Sequence, residues 1–408
     1  MNVTLPELLW YGNTTVDISF PEDWEVELCP MGGAHKPQIT TNDIAAAVRS
    51  PIGSPPLKEL ARGKKRAVII FDDMTRPTPA ADIAPIVIEE LLAGGMDEDD
   101  ITFVCALGNH GALNNHDLRK KLGADILERF RVYNHNAYEH CVEVGVTSFG
   151  TKVLINREVA EADLKIGIGC VTAHPQTGFS GGGKIILPGV SHYDTATHYH
   201  NDVYSRDPAS CGLGNYDNNI LRKNIEEAAR LAGLDFKIDV LFNERGLVTD
   251  AFAGDFVEAH KEAVEVAKPH YAAAPKPMNK NVVVANAFAK ANEMAIAILC
   301  GVLGLGNLTG SVVVIANAPE GQVPHYLMRS FGRDYGGNSH PPGQLIPSIN
   351  LIVVAPYVDR TFGDWVGNPE LITWTKSWDG ALEHLTELHG PGTAVGVVPN
   401  ATMLYYSS

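Results

Sequence analysis

Seven short runs rich in β-branched residues punctuate this chain, and several stop at a polar or glycine-rich loop. They are RAVIIFDD (66–73), ITFVCALGNHG (101–111), LKIGIGCVTAHP (164–175), IDVLFNERG (238–246), NVVVANAFA (281–289), SVVVIANAP (311–319) and NLIVVAPYV (350–358). Runs this short and this apolar read as buried strands. Between them lie helical patterns. In ADIAPIVIEELLAGG (81–95), Ile83, Ile86, Val87 and Leu91 recur at helical spacing before a Gly94–Gly95 stop, and NNILRKNIEEAARLAG (218–233) behaves similarly. Strands alternating with helices predict an α/β protein whose sheets are largely parallel and flanked by helices.

The stretch AKPHYAAAPKPMNK (267–280) has three prolines and four alanines without apolar periodicity, so it reads as a linker. This predicts an N-terminal α/β domain over 1–270 and a C-terminal one over 275–408, the latter with strands near 281–286, 311–317, 350–355 and 394–398. SFGRDYGGNSHPPGQL (330–345) reads as a lid or a mobile loop.

Bulk composition excludes several classes of function. Of 408 residues, 45% are hydrophobic and 20% charged, which describes a soluble globular chain. A formal charge of −16 argues against nucleic acid or an anionic membrane as partner, since both are gripped by clustered Lys and Arg. Cys29, Cys105, Cys141, Cys170, Cys211 and Cys300 form no C-x-x-C pair and suggest neither a zinc knuckle nor a disulfide framework. MNVTLPELLWYGN carries no basic start or long apolar stretch, so a cytoplasmic location is expected.

Ligands of open α/β sheets bind beyond the carboxyl ends of strands, which directs attention to three loops. After AVIIF comes DDMTRPTP, where Asp72, Asp73, Thr75 and Arg76 precede a helix. Arg76 there could grip a carboxylate or phosphate, or simply pair with an aspartate in the turn. After ITFVCALG comes NHG, with His110 flanked by Gly108 and Gly111. After LKIGIGCV comes HPQTGFSGGGKIILPG (174–189), which matches the first seven positions of a phosphate-binding loop but has Ile185 where a magnesium-binding hydroxyl belongs. Two histidines at strand ends, His110 and His174, form a natural pair for proton transfer near neutral pH. Lys184, behind three glycines, could neutralise a phosphate or bond covalently to a cofactor. SHYDTATHYH supplies His192, His198 and His200. On a strand, His198 and His200 would share a face; on a helix they would diverge. Imidazole suits zinc, copper, iron or nickel, but these residues alone make an incomplete metal site.

Taken together, DMTRP (73–77), GNHG (108–111), HPQTGFSGGGK (174–184) with PG (188–189), and a histidine sixteen residues past the lysine resemble the lactate racemase family, whose members carry a nickel-pincer nucleotide. The resemblance implies two α/β domains with the site in their cleft. It implies that Lys184 tethers the pyridinium-derived cofactor through a thioamide and that His200 supplies a nickel ligand, with His198 as the neighbouring alternative. It further implies His110 and His174 as alternating general base and acid, and Asp73, Thr75 and Arg76 as holders of the ribose-phosphate end or of the substrate. Ser180, Gly181, Gly182 and Gly183 would line the nucleotide, and cofactor biosynthesis proteins would be needed for activation.

One departure concerns the substrate. Lactate-specific members bring a tyrosine, a glutamine and a lysine to the substrate carboxylate, whereas NAFAKANEMAIAILCG (286–301) has Phe288 and Asn292 there and Lys290 out of register. Loss of such a cation costs roughly 1.5–3 kcal/mol. The resemblance therefore implies a 2-hydroxy acid or a sugar as substrate, with Arg76, Lys290 and Asn292 as contacts. The rival expectations are a phosphotransferase that uses the glycine loop for ATP, and a non-catalytic carrier of the nucleotide.

Overall fold

The computed structural model describes residues 1–327, 345–359 and 371–407. The 330–345 loop lies outside the described residues except for Leu345. Contacts divide the chain into two compact units: residues 36–243 with 247–268, and residues 1–35, 244–246 and 269–408.

The first unit is built on a six-stranded sheet. Its order is Val248–Gly254, Phe236–Phe242, Leu164–Cys170, Ala67–Asp72, Ile101–Ala106 and Arg131–Asn134. All neighbouring pairs are parallel except the antiparallel pair formed by Val248–Gly254. Leu164–Cys170, Ala67–Asp72 and Phe236–Phe242 are buried along their whole length, which is why they read in sequence as unbroken apolar runs. Because Leu164–Cys170, Ala67–Asp72 and Ile101–Ala106 are parallel neighbours, the three loops that follow them emerge side by side at one edge.

The second unit has its own six-stranded sheet, parallel throughout. The order is Ile372–Thr375, Ile349–Val354, Gly310–Ile315, Val282–Asn286, Ala394–Val398 and Glu25–Leu28. The mixed α/β class with largely parallel, helix-flanked sheets thus agrees with the sequence. The domain limits need correction. Residues 1–35 belong with the C-terminal strands, because Glu25–Leu28 forms the edge of that sheet and Val3, Leu5, Ile18, Phe20 and Trp24 share one buried cluster with Val282, Val284 and Trp378. The Trp378 indole N–H donates to Ser19 O at 2.8 Å, and its ring meets Phe20 edge-on at 5.0 Å. Nor is 267–280 a plain linker. A helix runs through Glu258–Tyr271, and Ala272 and Ala273 then bridge to Tyr405 and Met31.

Among the described residues no helix is long and apolar enough to cross a membrane. Leu5, fully buried in the second unit's core, tests the placement of the N-terminal segment. Leu5→Ala is expected to cost about 2–5 kcal/mol in urea unfolding followed by tryptophan fluorescence. A negligible change would detach the segment from that core.

Candidate active site

The turn after Ala67–Asp72 is fixed by a buried lysine. Lys121 lies on the helix Asn115–Leu122. Its ammonium pairs with Asp72 Oδ1 at 2.8 Å and donates to the carbonyls of Asp73 and Arg76 at 2.9 and 2.8 Å. Asp72 Oδ2 also accepts the Thr78 hydroxyl. With the turn held in this way, Asp73 faces the neighbouring strand end. Its Oδ1 accepts the Thr75 N–H and hydroxyl, and its Oδ2 lies 2.6 Å from His110 Nδ1. Burial alone would raise the Asp73 pKa, but the adjacent His110 charge and hydrogen bond, together with Arg76 and Thr75, hold the carboxyl well below its usual range. An ionised carboxylate accepts only, so His110 Nδ1 donates, and whenever the ring is neutral its lone pair is on Nε2. Arg76 folds back on the turn, where its Nη1 donates to the Thr75 carbonyl and hydroxyl at 2.9 and 2.8 Å.

His110 stands on a turn that only glycine admits readily. Gly108 has φ +56°, and its N–H donates to Gly189 O at 2.8 Å, joining the GNHG loop to the far end of the glycine-rich loop.

His174 begins that loop in a small hairpin, Ala173–His174 against Gly178–Phe179. Its Nδ1 accepts the backbone N–H groups of Gln176 and Thr177 at 3.2 and 3.3 Å. Its Nε2 lies 3.1 Å from Lys184 Nζ. Lys184 sits on the one-turn 3-10 segment Gly182–Ile185. The amine and His174 therefore follow Leu164–Cys170 and His110 follows Ile101–Ala106, two strands of one sheet with Ala67–Asp72 and its Asp73 between them.

The glycines between them answer to what lies beneath. A Cβ on Gly182 would sit 2.8 Å from the His260 ring, one on Gly183 2.9 Å from Ala229 Cβ, and one on Gly181 2.9 Å from Asp239 Oδ1. The loop is pressed onto the sheet and helix below it, and Gly181 and Gly182 also hold positive φ. Asp239 Oδ2 accepts the Gly182 N–H at 2.8 Å while its Oδ1 pairs with buried Lys237 at 2.6 Å. Arg222 donates to the carbonyls of Gly181 and Phe179, and His260 Nε2 to that of Ser180. The Ser180 hydroxyl bridges Thr172 N and Cys170 O, both at 2.9 Å.

This arrangement counts against the phosphate-loop reading. The N–H groups of Phe179, Ser180, Gly182 and Lys184 are all spent inside the protein, on Thr177 O, Thr172 O, Asp239 and Gly181 O. A phosphate cradle needs such groups turned outward. Ile185 is buried in the core, as its apolar side chain requires. The ATP-dependent alternative is therefore not favoured.

The histidine cluster is helical, so its members diverge. His192 caps the helix Tyr193–His198, its Nδ1 accepting the Asp194 N–H. His198 Nδ1 lies 2.9 Å from the Thr151 hydroxyl. His200 is on a π-helical turn, Tyr199–Val203, and its Nδ1 lies 2.7 Å from Ala196 O. A carbonyl cannot donate, so Nδ1 carries a proton and the lone pair of the neutral ring is on Nε2. Tyr199 and Val203 share one buried cluster with Ile185, Ile186, Leu187 and Val190, so the turn bearing His200 and the loop bearing Lys184 rest on a common core. Among the described residues no three His, Cys, Asp or Glu side chains form a metal site.

Lys290 and Asn292 belong to the other unit, on the 3-10 segment Phe288–Glu293. Lys290 is 1% exposed, and Asn292 accepts the Val323 N–H through its backbone carbonyl.

Sequence reasoning missed Lys121, Arg222, Asp239 and His260, and it missed Asp73 as a partner of His110. One signal was available: Lys237 and Asp239 are opposite charges two residues apart in an otherwise apolar strand, hence on one face of it.

Residues 11–212 match the lactate racemase N-terminal domain family, a span that contains Asp73, His110, His174, Lys184 and His200. Over 227 residues the chain is 36% identical to the lactate racemase of Lactiplantibacillus plantarum, covering 55% of this chain and 53% of that protein. Over 268 residues it is 30% identical to the lactate racemase of Thermoanaerobacterium thermosaccharolyticum, covering 65% and 62%. The matched stretch thus falls short of two thirds of either relative. In fold, the chain resembles the lactate racemase apoprotein of Thermoanaerobacterium thermosaccharolyticum with TM-score 0.74 and 21% identity over 100% of both chains. It also resembles a Thermotoga maritima protein with TM-score 0.64 and 18% identity over 91% of this chain and 99% of that one.

The buried Asp73 carboxylate yields a pH-dependent expectation. Its folded pKa is depressed, so its contribution to stability is present above the unfolded value of about 3.9 and is lost as pH falls through the folded value. The stability difference between wild type and Asp73→Asn should be full above about pH 5 and shrink below about pH 4 in denaturation series. A difference that does not change with pH would contradict an ionised Asp73.

Proposed function

Because the chain belongs to the lactate racemase family, we propose that it is a racemase or epimerase. It would invert a hydroxyl-bearing carbon of a 2-hydroxy acid or sugar, using a nickel-pincer nucleotide tethered to Lys184. The observation that carries this reading is the conjunction at one sheet edge of the Lys184 amine, 3.1 Å from His174, with a second histidine backed by a carboxylate.

The residues fit such a group. In this reading His200 would supply one imidazole nitrogen, and since no three His, Cys, Asp or Glu side chains form a metal site among the described residues, the group itself would bring the other donors. A pincer does so, and planar coordination by soft donors suits nickel(II) better than tetrahedral zinc. When bound, the group supplies a reversible acceptor for the hydrogen that leaves carbon with its electron pair.

The chain's own residues move the proton. His110 takes the substrate hydroxyl proton on Nε2, and the Asp73 carboxylate stabilises the imidazolium that results. His174 offers Nε2–H to the oxygen from the other side, its ring orientation fixed by the Gln176 and Thr177 N–H groups. Inversion requires an acid/base group on each face, the role this reading gives to the pair. Arg76 supplies the cation for an anionic group of substrate or nucleotide. The tether would depend on cofactor biosynthesis proteins as partners.

The test is intact mass and chiral chromatography on full-length protein made with and without the cofactor's biosynthetic enzymes. An adduct absent from Lys184→Ala, and interconversion of 2-hydroxy acid or sugar epimers that falls about 10²–10⁴-fold in His110→Ala with the adduct retained, are expected. An active protein lacking both adduct and nickel would overturn the proposal.

A further inference from the structure

We propose that Lys121 is the positioning residue of the His110–Asp73 pair: from the helix that follows His110's own loop, it locks the turn that aims Asp73 at the imidazole. The inference rests on the reading of His110 as an acid/base group and concerns what keeps its carboxylate in place.

The turn is Asp73–Arg76, closed by the Arg76 N–H, which donates to Asp73 O at 3.2 Å. Inside it, Asp73 Oδ1 accepts the Thr75 N–H and hydroxyl, which leaves Oδ2 directed at His110 Nδ1, 2.6 Å away. The direction of the carboxylate is thus a property of the turn's backbone. The Lys121 ammonium holds both ends of that backbone, donating to Asp73 O at 2.9 Å and to Arg76 O at 2.8 Å, and it pairs with Asp72, the last residue of the strand, at 2.8 Å.

His110 and Lys121 belong to one continuous segment. After His110 the chain enters the helix Asn115–Leu122 through a capping box, in which Asn114 Oδ1 accepts the Asp117 N–H and the Asp117 carboxylate accepts the Asn114 N–H. Between them, the Asn134 side chain fixes Leu113 through both its N–H and its carbonyl. The segment that carries the imidazole therefore grips the Asp73 turn at two points, once through His110 and once through Lys121. One point of contact leaves a hinge, whereas two set the distance from carboxylate to ring.

The plainer reading is a lysine buried only to neutralise Asp72. That reading does not account for the two carbonyls, and Lys121 is 0% exposed, so its charge is taken out of water for a pair that an apolar substitute would match in stability. What the ammonium contributes is conformation. The charged groups gathered around His110 and Asp73 are Asp72, Arg76, Asp117 and Lys121, with the Cys105 thiol buried among them. Their signs separate the two readings. Removing a cation from this group by itself favours the imidazolium and raises the His110 pKa, whereas losing the aimed Asp73 carboxylate removes the counter-charge and lowers it.

The experiment titrates the His110 imidazole by NMR in full-length protein made without the cofactor's biosynthetic enzymes, the resonance being assigned by its loss in His110→Gln. Asp73→Asn sets the scale of a lost carboxylate. Lys121→Met is expected to lower the His110 pKa by at least about half as much as Asp73→Asn does, and to lower it no further when added to Asp73→Asn. Because Lys121→Met strands the Asp72 charge, the double variant Asp72→Asn/Lys121→Met, which leaves neither charge alone, is expected to show the same fall with unchanged circular dichroism. A His110 pKa that rises or stays where it is in either folded variant overturns the proposal. In cofactor-loaded protein the same variants should lower kcat by about tenfold or more with KM within about twofold, and an unchanged kcat overturns it equally. The titration needs neither cofactor nor turnover. A His110 pKa that follows Lys121 in a protein that interconverts no epimers sinks the racemase reading and leaves this one standing, whereas a His110-dependent racemase whose titration ignores Lys121 does the reverse.

Discussion

The Asp239 carboxylate is the interaction on which the site depends. It is buried beneath the glycine-rich loop, where it accepts the Gly182 N–H and pairs with Lys237. Burial pushes its pKa up, but the Lys237 charge and the hydrogen bonds from Lys237 and the Gly182 N–H more than offset that, and the net shift is downward. A buried ion pair adds little net stability over an apolar substitute, yet removing one partner strands a charge at a cost of about 3–5 kcal/mol. Its contribution is therefore conformational. Gly182 is held at φ +58°, and Gly181 O and Phe179 O are left to face Arg222. His260 completes the bed as a neutral ring, its pKa lowered to about 3 by burial and by Arg222, with Nε2 donating to Ser180 O. The backbone that carries Lys184 takes its position from this charge arrangement.

The two histidines differ in what stands behind them. His110 has an ionised carboxylate at Nδ1, so a second proton on the ring gains a charge-assisted partner. His174 has two backbone N–H groups at Nδ1, so a second proton there meets donors only. The two rings are therefore held by different kinds of partner, a side-chain carboxylate at His110 and backbone N–H groups at His174. Neither side chain's sequence neighbours reveal the difference, which arises from the pairing of Ala67–Asp72 with Ile101–Ala106 and from the tightness of the Ala173–Phe179 hairpin.

Legibility in the sequence followed the range of the interactions. The buried parallel strands were readable because burial on both faces imposes unbroken apolar runs such as AVIIF and LKIGIGC. The site loops were readable because they follow those runs. The N-terminal segment was assigned to the wrong unit because Glu25–Leu28 pairs with Ala394–Val398 across most of the chain, and its burial is too sparse to mark a core strand. Asp73 read as a ligand holder because a carboxylate's partner is fixed by which strands are neighbours, and sequence order does not give that. The glycines at 181–183 read as room for a ligand, whereas the atoms a Cβ would strike belong to His260, Ala229 and Asp239. Close packing below and access above both select glycine, and only coordinates separate them.

That packing has a consequence for a tethered prosthetic group. A lysine side chain carries about 2 kcal/mol of rotamer entropy, so a group hung on it is well placed only if the stem's base is immobile and its tip is restrained. The base here is a 3-10 turn whose backbone is tied to Asp239, and whose next residues, Ile185 to Leu187, enter the core. The tip is met by His174. Under the proposed function, a group tethered here would make each turnover an intramolecular encounter, where effective concentrations reach about 10⁵ M or more for well-oriented groups. A helix at the same place would give an equally rigid base, but it would turn the lysine away from the strand ends with each added residue. A single turn keeps the amine at the sheet edge where His110 and His174 already stand.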